Sequence, residues 1–287
     1  MKKLIGLAAL LAATTSAFGI TGDWLEDNVH PYVGLVVFYN AQGTFIWRCS
    51  GSLISPTKLV TAGHCADTAE GAASARVYFQ QDAGANFNPA TGKDPITGYP
   101  EECAAGTLGT LCATASTVGQ IHNYGFANFA GFPNTHDAGV VILDQPITLP
   151  KYGQLPTAGA LDNVTARGAK NTLFTVSGYG MTLRVNSHIA HGKLSNISFR
   201  ERLMAQSSLI DFDRNQWTDG YNLQTQGNGN SRGGTCSGDS GGPILLGGAS
   251  SNTIVAVTSF VLNELCRGTN FGYRIDRQEV LDWINSK

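Results

Sequence analysis

Short runs of aliphatic and β-branched residues recur along the chain, at Val33–Phe38, Ser52–Ile54, Lys58–Thr61, Arg76–Phe79, Gly139–Leu143, Leu173–Ser177 and Ile254–Phe260. Clusters of Gly, Pro, Asn and Ser separate them, which is the pattern of an all-β sandwich or barrel. No regular strand–helix–strand alternation appears, so a parallel doubly wound sheet is disfavoured. The stretch from Gln80 to Thr117 is rich in Gly, Ala, Pro and Thr and carries Cys103 and Cys112, which predicts a long loop stapled by a local disulfide. No internal repeat is present. The period changes only at the end, where Val280, Trp283 and Ile284 share one face at i, i+3, i+4 spacing. Asp276, with Glu279 three residues on, is the predicted N-cap, and Ile275 with Val280 forms a hydrophobic staple. A short amphipathic helix therefore closes the chain against a β core.

The first residues follow a different logic. Lys2 and Lys3 precede an apolar run, Leu4 to Ala13, that is too short to span a bilayer, and small residues follow it. That order predicts a signal peptide over 1–19 and a secreted, extracellular protein. Cutting after Ala17 leaves Phe18-Gly19 as a pro-dipeptide, whereas cutting after Gly19 exposes Ile20. No later stretch has the length of a membrane span, so no membrane partner is expected. The 287 residues, 42% hydrophobic and 14% charged, can bury one large domain or two compact ones. The net charge of −2 and the lack of basic runs exclude a nucleic-acid partner held by charge. Function must come from a site.

Export changes the meaning of the six cysteines, Cys49, Cys65, Cys103, Cys112, Cys236 and Cys266. An even number in an oxidising compartment argues for disulfides, although the count leaves the pairing open. No CxxC pair exists, which disfavours a zinc ribbon or a thioredoxin motif. His188 and His191 lie at i, i+3 without an HExxH motif, and a solvated surface suits them better than a metal site. No acidic cluster stands at calcium-ligand spacing, so neither a metal nor a cofactor is expected. Two sequons, at Asn163 and Asn196, predict glycosylation after eukaryotic secretion.

The segment Gly238-Asp239-Ser240-Gly241-Gly242-Pro243 carries the most chemistry. A serine hydroxyl needs a neighbouring base to take its proton, and the oxyanion it creates needs backbone N–H donors. Glycines around Ser240 let the backbone approach a substrate carbonyl. The same residues fit the G-x-S-x-G elbow of α/β-hydrolases, but that fold places its histidine after the serine. The last histidine here is His191, so the elbow reading fails. A base must come from upstream. His64, in Thr61-Ala62-Gly63-His64-Cys65, sits at the end of an apolar run beside a cysteine that can hold it rigidly. Asp137, just ahead of the run Gly139–Leu143, suits the orienting carboxylate.

These three blocks, TAGHC, HDAGVVIL and GDSGGP, resemble the signature segments of the trypsin/chymotrypsin-like serine peptidases. Val176-Ser177-Gly178-Tyr179-Gly180 and Val257-Thr258-Ser259-Phe260-Val261 are similar to two further family segments, each with an aromatic change. The resemblance runs in order from residue 20 to 287. It implies two antiparallel six-stranded β-barrels packed face to face with a C-terminal helix. The peptidase domain would cover 20–287, with barrels near 30–150 and 151–274 and a helix near 276–286. It implies a triad of His64, Asp137 and Ser240, an oxyanion hole from the N–H groups of Gly238 and Ser240, and disulfides Cys49–Cys65 and Cys236–Cys266. Cys103 and Cys112 are then left to pair with each other. Activation would insert a free Ile20 amine beside Asp239.

Family position also assigns the substrate-binding residues Gly234, Ser259, Phe260 and Val261. Gly234, not aspartate, forms the base of the primary specificity pocket, so an Arg or Lys side chain would be buried there without a counter-charge. Val261 and Phe271 are expected to narrow the entrance, which favours small or medium apolar side chains. The resulting expectation is a monomeric secreted serine endopeptidase, with protein or peptide substrates and protein inhibitors as its partners. The alternative is a catalytically inactive homologue that acts as a binding protein.

Overall fold

The computed structural model describes residues 20–83, 111–162, 164, 172–181, 201–227, 232–263, 266 and 268–287. The expected signal segment, Cys103, both sequon asparagines and the His188/His191 pair lie outside them. In chain order the strands are β1 (Thr21–Gly22), β2 (Trp24–Glu26), β3 (Val33–Tyr39), β4 (Phe45–Leu53), β5 (Lys58–Thr61), β6 (Ser74–Tyr78), β7 (Cys112–Ala115) and β8 (Ile121–Asn123). They continue as β9 (Gly139–Ile142), β10 (Leu173–Gly178), β11 (Leu203–Asp211), β12 (Asn222–Gln226), β13 (Gly233–Gly234), β14 (Pro243–Leu246), β15 (Ile254–Val261) and β16 (Thr269–Arg274). One α-helix, α1 (Gln278–Asn285), follows.

The first sheet runs β7-β6-β3-β4-β5-β9-β8, entirely antiparallel, as an open half-barrel among the described residues. The second runs β10-β14-β15-β16-β12-β11 and closes through a β10–β11 pairing, with β2 added on β11. Each sheet wraps an apolar interior. Val36, Phe38, Leu53 and Val77 fill the first, and Phe174, Val176, Leu203 and Val255 fill the second. A third cluster joins the two sheets: Val60 and Val140 from the first meet Leu245, Val257 and Tyr273 from the second, with Val280 and Ile284 of α1 laid against them. Burying such side chains contributes about 1.5–3 kcal/mol each, so this seam fixes the cleft between the sheets.

Two local expectations are corrected. The stretch Gln80–Thr117 is not all loop, because Cys112–Ala115 pairs with β6 in register Tyr78↔Cys112. Cys112–Ala115 is mostly buried, but its small residues give no strand signal in the sequence. Asp276 is also not the helix N-cap. Arg277 occupies that position and makes no side-chain cap. The buried Asp276 carboxylate instead receives Leu161 N at 2.8 Å and the Arg274 Nε and Nη2 at 2.9 Å. A guanidinium fork is a stronger partner for a carboxylate than a single backbone N–H.

Candidate active site

Strand pairing brings His64 and Asp137 together. β5 and β9 are antiparallel partners with Thr61 opposite Gly139, so the residues just beyond one strand meet those just ahead of the other. The Cys49–Cys65 disulfide, with Cα atoms 6.2 Å apart, ties the His64 segment back to β4. The buried Asp137 carboxylate receives the His64 backbone N–H at 2.8 Å on Oδ1 and the imidazole Nδ1 at 2.9 Å on Oδ2. Ser259 Oγ, from the second sheet, donates to the same Oδ2 at 2.5 Å. Burial pushes the Asp137 carboxyl up, but the charge and hydrogen bonds of His64 with the Ser259 bond outweigh it and hold it below its ordinary value. An ionised Asp137 accepts only, so the proton on His64 sits at Nδ1 and Nε2 is the free base.

The imidazole has 26% of its side chain exposed, so its far edge reaches solvent. Burial disfavours its charge, yet the Asp137 charge and hydrogen bond, with Asp67 adding to them, lift it above its ordinary value. His64 also lies within 4.8 Å of the Cys49 and Cys65 sulfurs. Those sulfurs are spent in a disulfide, so this group offers no thiolate for a metal.

Ser240 sits on a turn clamped by both sheets. Its carbonyl accepts Ser50 N at 2.8 Å, Gly241 N donates to Thr258 O at 2.8 Å, and Ser50 Oγ donates to Gly238 O at 2.9 Å. Gly241 has φ +77°, and a Cβ there would overlap Thr61 Oγ1, so only glycine fits. Among the described residues the N–H groups of Gly238 and Ser240 have no acceptor, and no hydrogen bond joins Ser240 Oγ to His64.

Asp239, beside Ser240, is fully buried. Its carboxylate receives two backbone N–H groups, those of Gly180 and Cys236, each at 2.8 Å. Burial dominates over these two bonds and pushes its carboxyl up to about 7. Among the described residues no cation is its partner. Ile20 is buried in the second interior, with Thr21 opposite Gly234 in the β1–β13 pair. Among the described residues, the carboxylate that the resemblance pairs with an ammonium is therefore held by backbone N–H groups alone.

Of the residues expected to bind substrate, Gly234 is buried, Phe260 and Val261 end β15, and the Cys236–Cys266 disulfide closes the loop beside them. Cys112 is also oxidised. Phe271 does not face Gly234. It stacks on Phe260 with centroids 4.5 Å apart and planes 6° from parallel. A register shift between Thr258 and Phe260 puts Val261 opposite Asn270, so the Asn270 amide, not the Phe271 ring, meets Gly234. An aromatic row leads away from His64 through Phe126, Phe129 and Phe260 to Phe132 and Trp217. It borders a hollow of about 740 Å³ lined also by Arg214 and Asp219.

A second Asp–His pair escaped sequence reasoning. His30 Nδ1 meets Asp27 at 2.8 Å, Ser177 Oγ donates to Asp27 at 2.5 Å, and Arg202 Nε donates to Asp27 O at 2.9 Å. All four side chains are buried and His30 Nε2 donates to Ser251 O at 2.9 Å. With both ring nitrogens occupied, this cluster pins the N-terminal segment and has no free base.

Comparison with known proteins gives a consistent answer. The family model described as Trypsin matches residues 109–284. The thrombin-like enzyme acutin of Deinagkistrodon acutus is 24% identical over 268 residues, covering 92% of this chain and 93% of its own. The CLIP domain-containing serine protease B10 of Anopheles gambiae is 24% identical over 246 residues, and the chain spans 58% of that protein's length. Among solved structures, HL collagenase superposes with TM-score 0.61 at 18% identity, over 94% of this chain and 96% of that one. Human heparin binding protein gives 0.57 at 21% identity, over 92% and 93%. The scabies mite inactivated protease paralogue S-I1 gives 0.54 at 18% identity, over 93% and 98%. At these identities the structural matches establish the fold, all-β and chymotrypsin-like.

Proposed function

The chain belongs to the trypsin family of serine proteases, and from that premise we propose that it is a secreted serine endopeptidase using Ser240, His64 and Asp137. Asp137 holds the imidazole with its proton on Nδ1, and Nε2 takes the Ser240 proton as Oγ attacks the substrate carbonyl. The oxyanion is received by the Gly238 and Ser240 N–H groups. His64 then gives its proton to the leaving amine as the C–N bond breaks, and water releases the acyl group by the same route. The observation that carries this reading is the hydrogen-bonded line Ser259–Asp137–His64, drawn from both sheets and ending in a free Nε2 beside the cleft.

Gly234 and Val261 favour side chains of small or medium size without positive charge on the acyl side of the cut bond, apolar ones over Arg or Lys. Cleavage before Ile20 would supply an ammonium for Asp239. A buried ion pair that loses one partner is destabilised by about 3–5 kcal/mol, enough to separate an inactive from an active form. Cys49–Cys65 and Cys236–Cys266 suit an extracellular site of action.

A second reading is an inactive homologue that binds rather than cuts. Among the described residues Ser240 makes no hydrogen bond to His64 and no cation pairs with Asp239, which favours it, and one structural relative is itself described as inactivated. A fluorophosphonate probe applied to the secreted protein separates the two. An adduct mapped to Ser240, lost in Ser240→Ala, supports the peptidase. No adduct in protein whose first residue is Ile20 supports the binding protein.

A further inference from the structure

Ser50 belongs to β4 of the first sheet, and its side chain is buried against the Ser240 turn. Its Oγ donates to Gly238 O at 2.9 Å and accepts the Tyr179 N–H at 3.0 Å, and its own N–H donates to Ser240 O at 2.8 Å. One hydroxyl thus fastens the turn to the Tyr179–Gly180 segment, whose next N–H, that of Gly180, holds Asp239. The fit is close. A Cβ on Gly178 would stand 3.0 Å from Ser50 Oγ, and one on Gly242 would stand 3.2 Å from Ser50 Cβ.

Three successive peptide units run through that turn. In a trans unit the C=O and N–H point in opposite directions, so a bond to the carbonyl aims the N–H. Ser237 O accepts Met181 N at 2.8 Å, which aims the Gly238 N–H, and Asp239 O accepts Gly242 N at 2.8 Å, which aims the Ser240 N–H. The unit between them sets how these two N–H groups lie relative to each other. Gly238 has φ +97°, a conformation that glycine enters and leaves at little cost, so this middle unit is free to turn over unless it is held. It is held by Asp239 N donating to Cys236 O at 3.0 Å and by Ser50 Oγ on Gly238 O. We infer that Ser50 is a positioning residue: its hydroxyl fixes the middle unit and so keeps the Gly238 and Ser240 N–H groups aligned for the oxyanion. This rests on the reading that Ser240 performs acyl transfer. Ser50 acts through the turn and not on the substrate. Aligned donors favour the charge that develops in the transition state over the neutral carbonyl of the bound substrate.

The test uses the secreted protein, one internally quenched peptide and two pairs of chains that differ in the hydroxyl. The first pair is native Ser50 with Ser50→Ala; the second is Ser50→Thr with Ser50→Val, which share the cost of an added methyl. Within each pair, loss of the hydroxyl is expected to lower kcat about tenfold, the worth of one hydrogen bond, and to leave KM unchanged. A peptide aldehyde, whose adduct with Ser240 presents an oxygen to the same N–H groups, should bind about tenfold more weakly. The acid limb of the pH profile, which His64 sets, stays in place. Ser207→Ala is the control: it removes a buried hydroxyl that donates to Gln226 O, and kcat is expected to hold. A kcat within about twofold across the pairs overturns the inference and leaves the peptidase reading intact. An equal loss in Ser207→Ala, or failure of both Ser50→Ala and Ser50→Val to fold, overturns it as well, because each assigns the hydroxyl to stability alone. Failure of native Ser240 to react with a fluorophosphonate overturns both.

Discussion

Asp239 should make the uncleaved chain less stable as the pH rises, the reverse of a buried carboxylate that has a cation. The carboxyl ionises at about 7 in the fold against 3.8 in the unfolded chain, because burial outweighs the Cys236 and Gly180 N–H bonds. The folded state therefore holds this proton more tightly. Below pH ~4 both states are protonated and nothing is lost; as the pH rises to about 7 the unfolded chain ionises first and gains. Above pH ~7 the loss is complete and amounts to about 4 kcal/mol. Between pH 4.5 and 7.5 it comes to about 3 kcal/mol.

The assay is urea unfolding at those two pH values. The protein is a Ser240→Ala chain that retains residues ahead of Ile20, so that it cannot digest itself. A companion carries Asp239→Asn in addition. All other titrations are common to the two, so their difference isolates Asp239. The Asn chain should gain about 3 kcal/mol on the Asp chain over the interval. A third chain beginning at a free Ile20 amine should lose most of the dependence, because a cation beside Asp239 restores the ionised form. Parallel pH profiles in the first two chains would refute the reasoning.

Three further outcomes follow from the site. Activity should fall as the pH drops through a value above 6.5, since Nε2 must be unprotonated and Asp137 holds His64 above its ordinary value. Ser259→Ala removes a charge-assisted bond of about 1.5–3 kcal/mol. It should lower kcat/KM by about tenfold or more and move this acid limb to higher pH; an unmoved limb would argue against the Ser259–Asp137 bond. Gly241→Ala forces a Cβ into Thr61 Oγ1 at φ +77°, so thermal unfolding should show a loss of several kcal/mol. Native stability with normal probe labelling would show that the turn is less constrained.

Several features were out of reach of the sequence for reasons that can be named. The bond from the Ser259 hydroxyl to Asp137 joins residues 122 positions apart, and no local pattern announces it. The capping pattern at Asp276 was locally valid, but Arg274 and Leu161 compete for the same carboxylate. Phe271 was expected to narrow the pocket entrance, but a bulge near Ser259 slips the β15–β16 register and brings Asn270 to Gly234 instead. A single-residue slip turns each side chain to the opposite face of a strand, and nothing local announces it.

The sequence by itself determined the all-β class, the C-terminal helix and the segments of the candidate site, because short apolar runs, turn residues and the blocks around His64, Asp137 and Ser240 are local patterns. It did not reveal that Asp27 and His30, three residues apart, form a second Asp–His pair beside that of His64 and Asp137, which stand 73 apart. Only the tertiary structure buries His30 with both nitrogens bonded and leaves His64 with an open edge. Burial and the free nitrogen depend on where two sheets meet, and that meeting is decided by side chains far apart in sequence, packed across the Val60–Val257 seam.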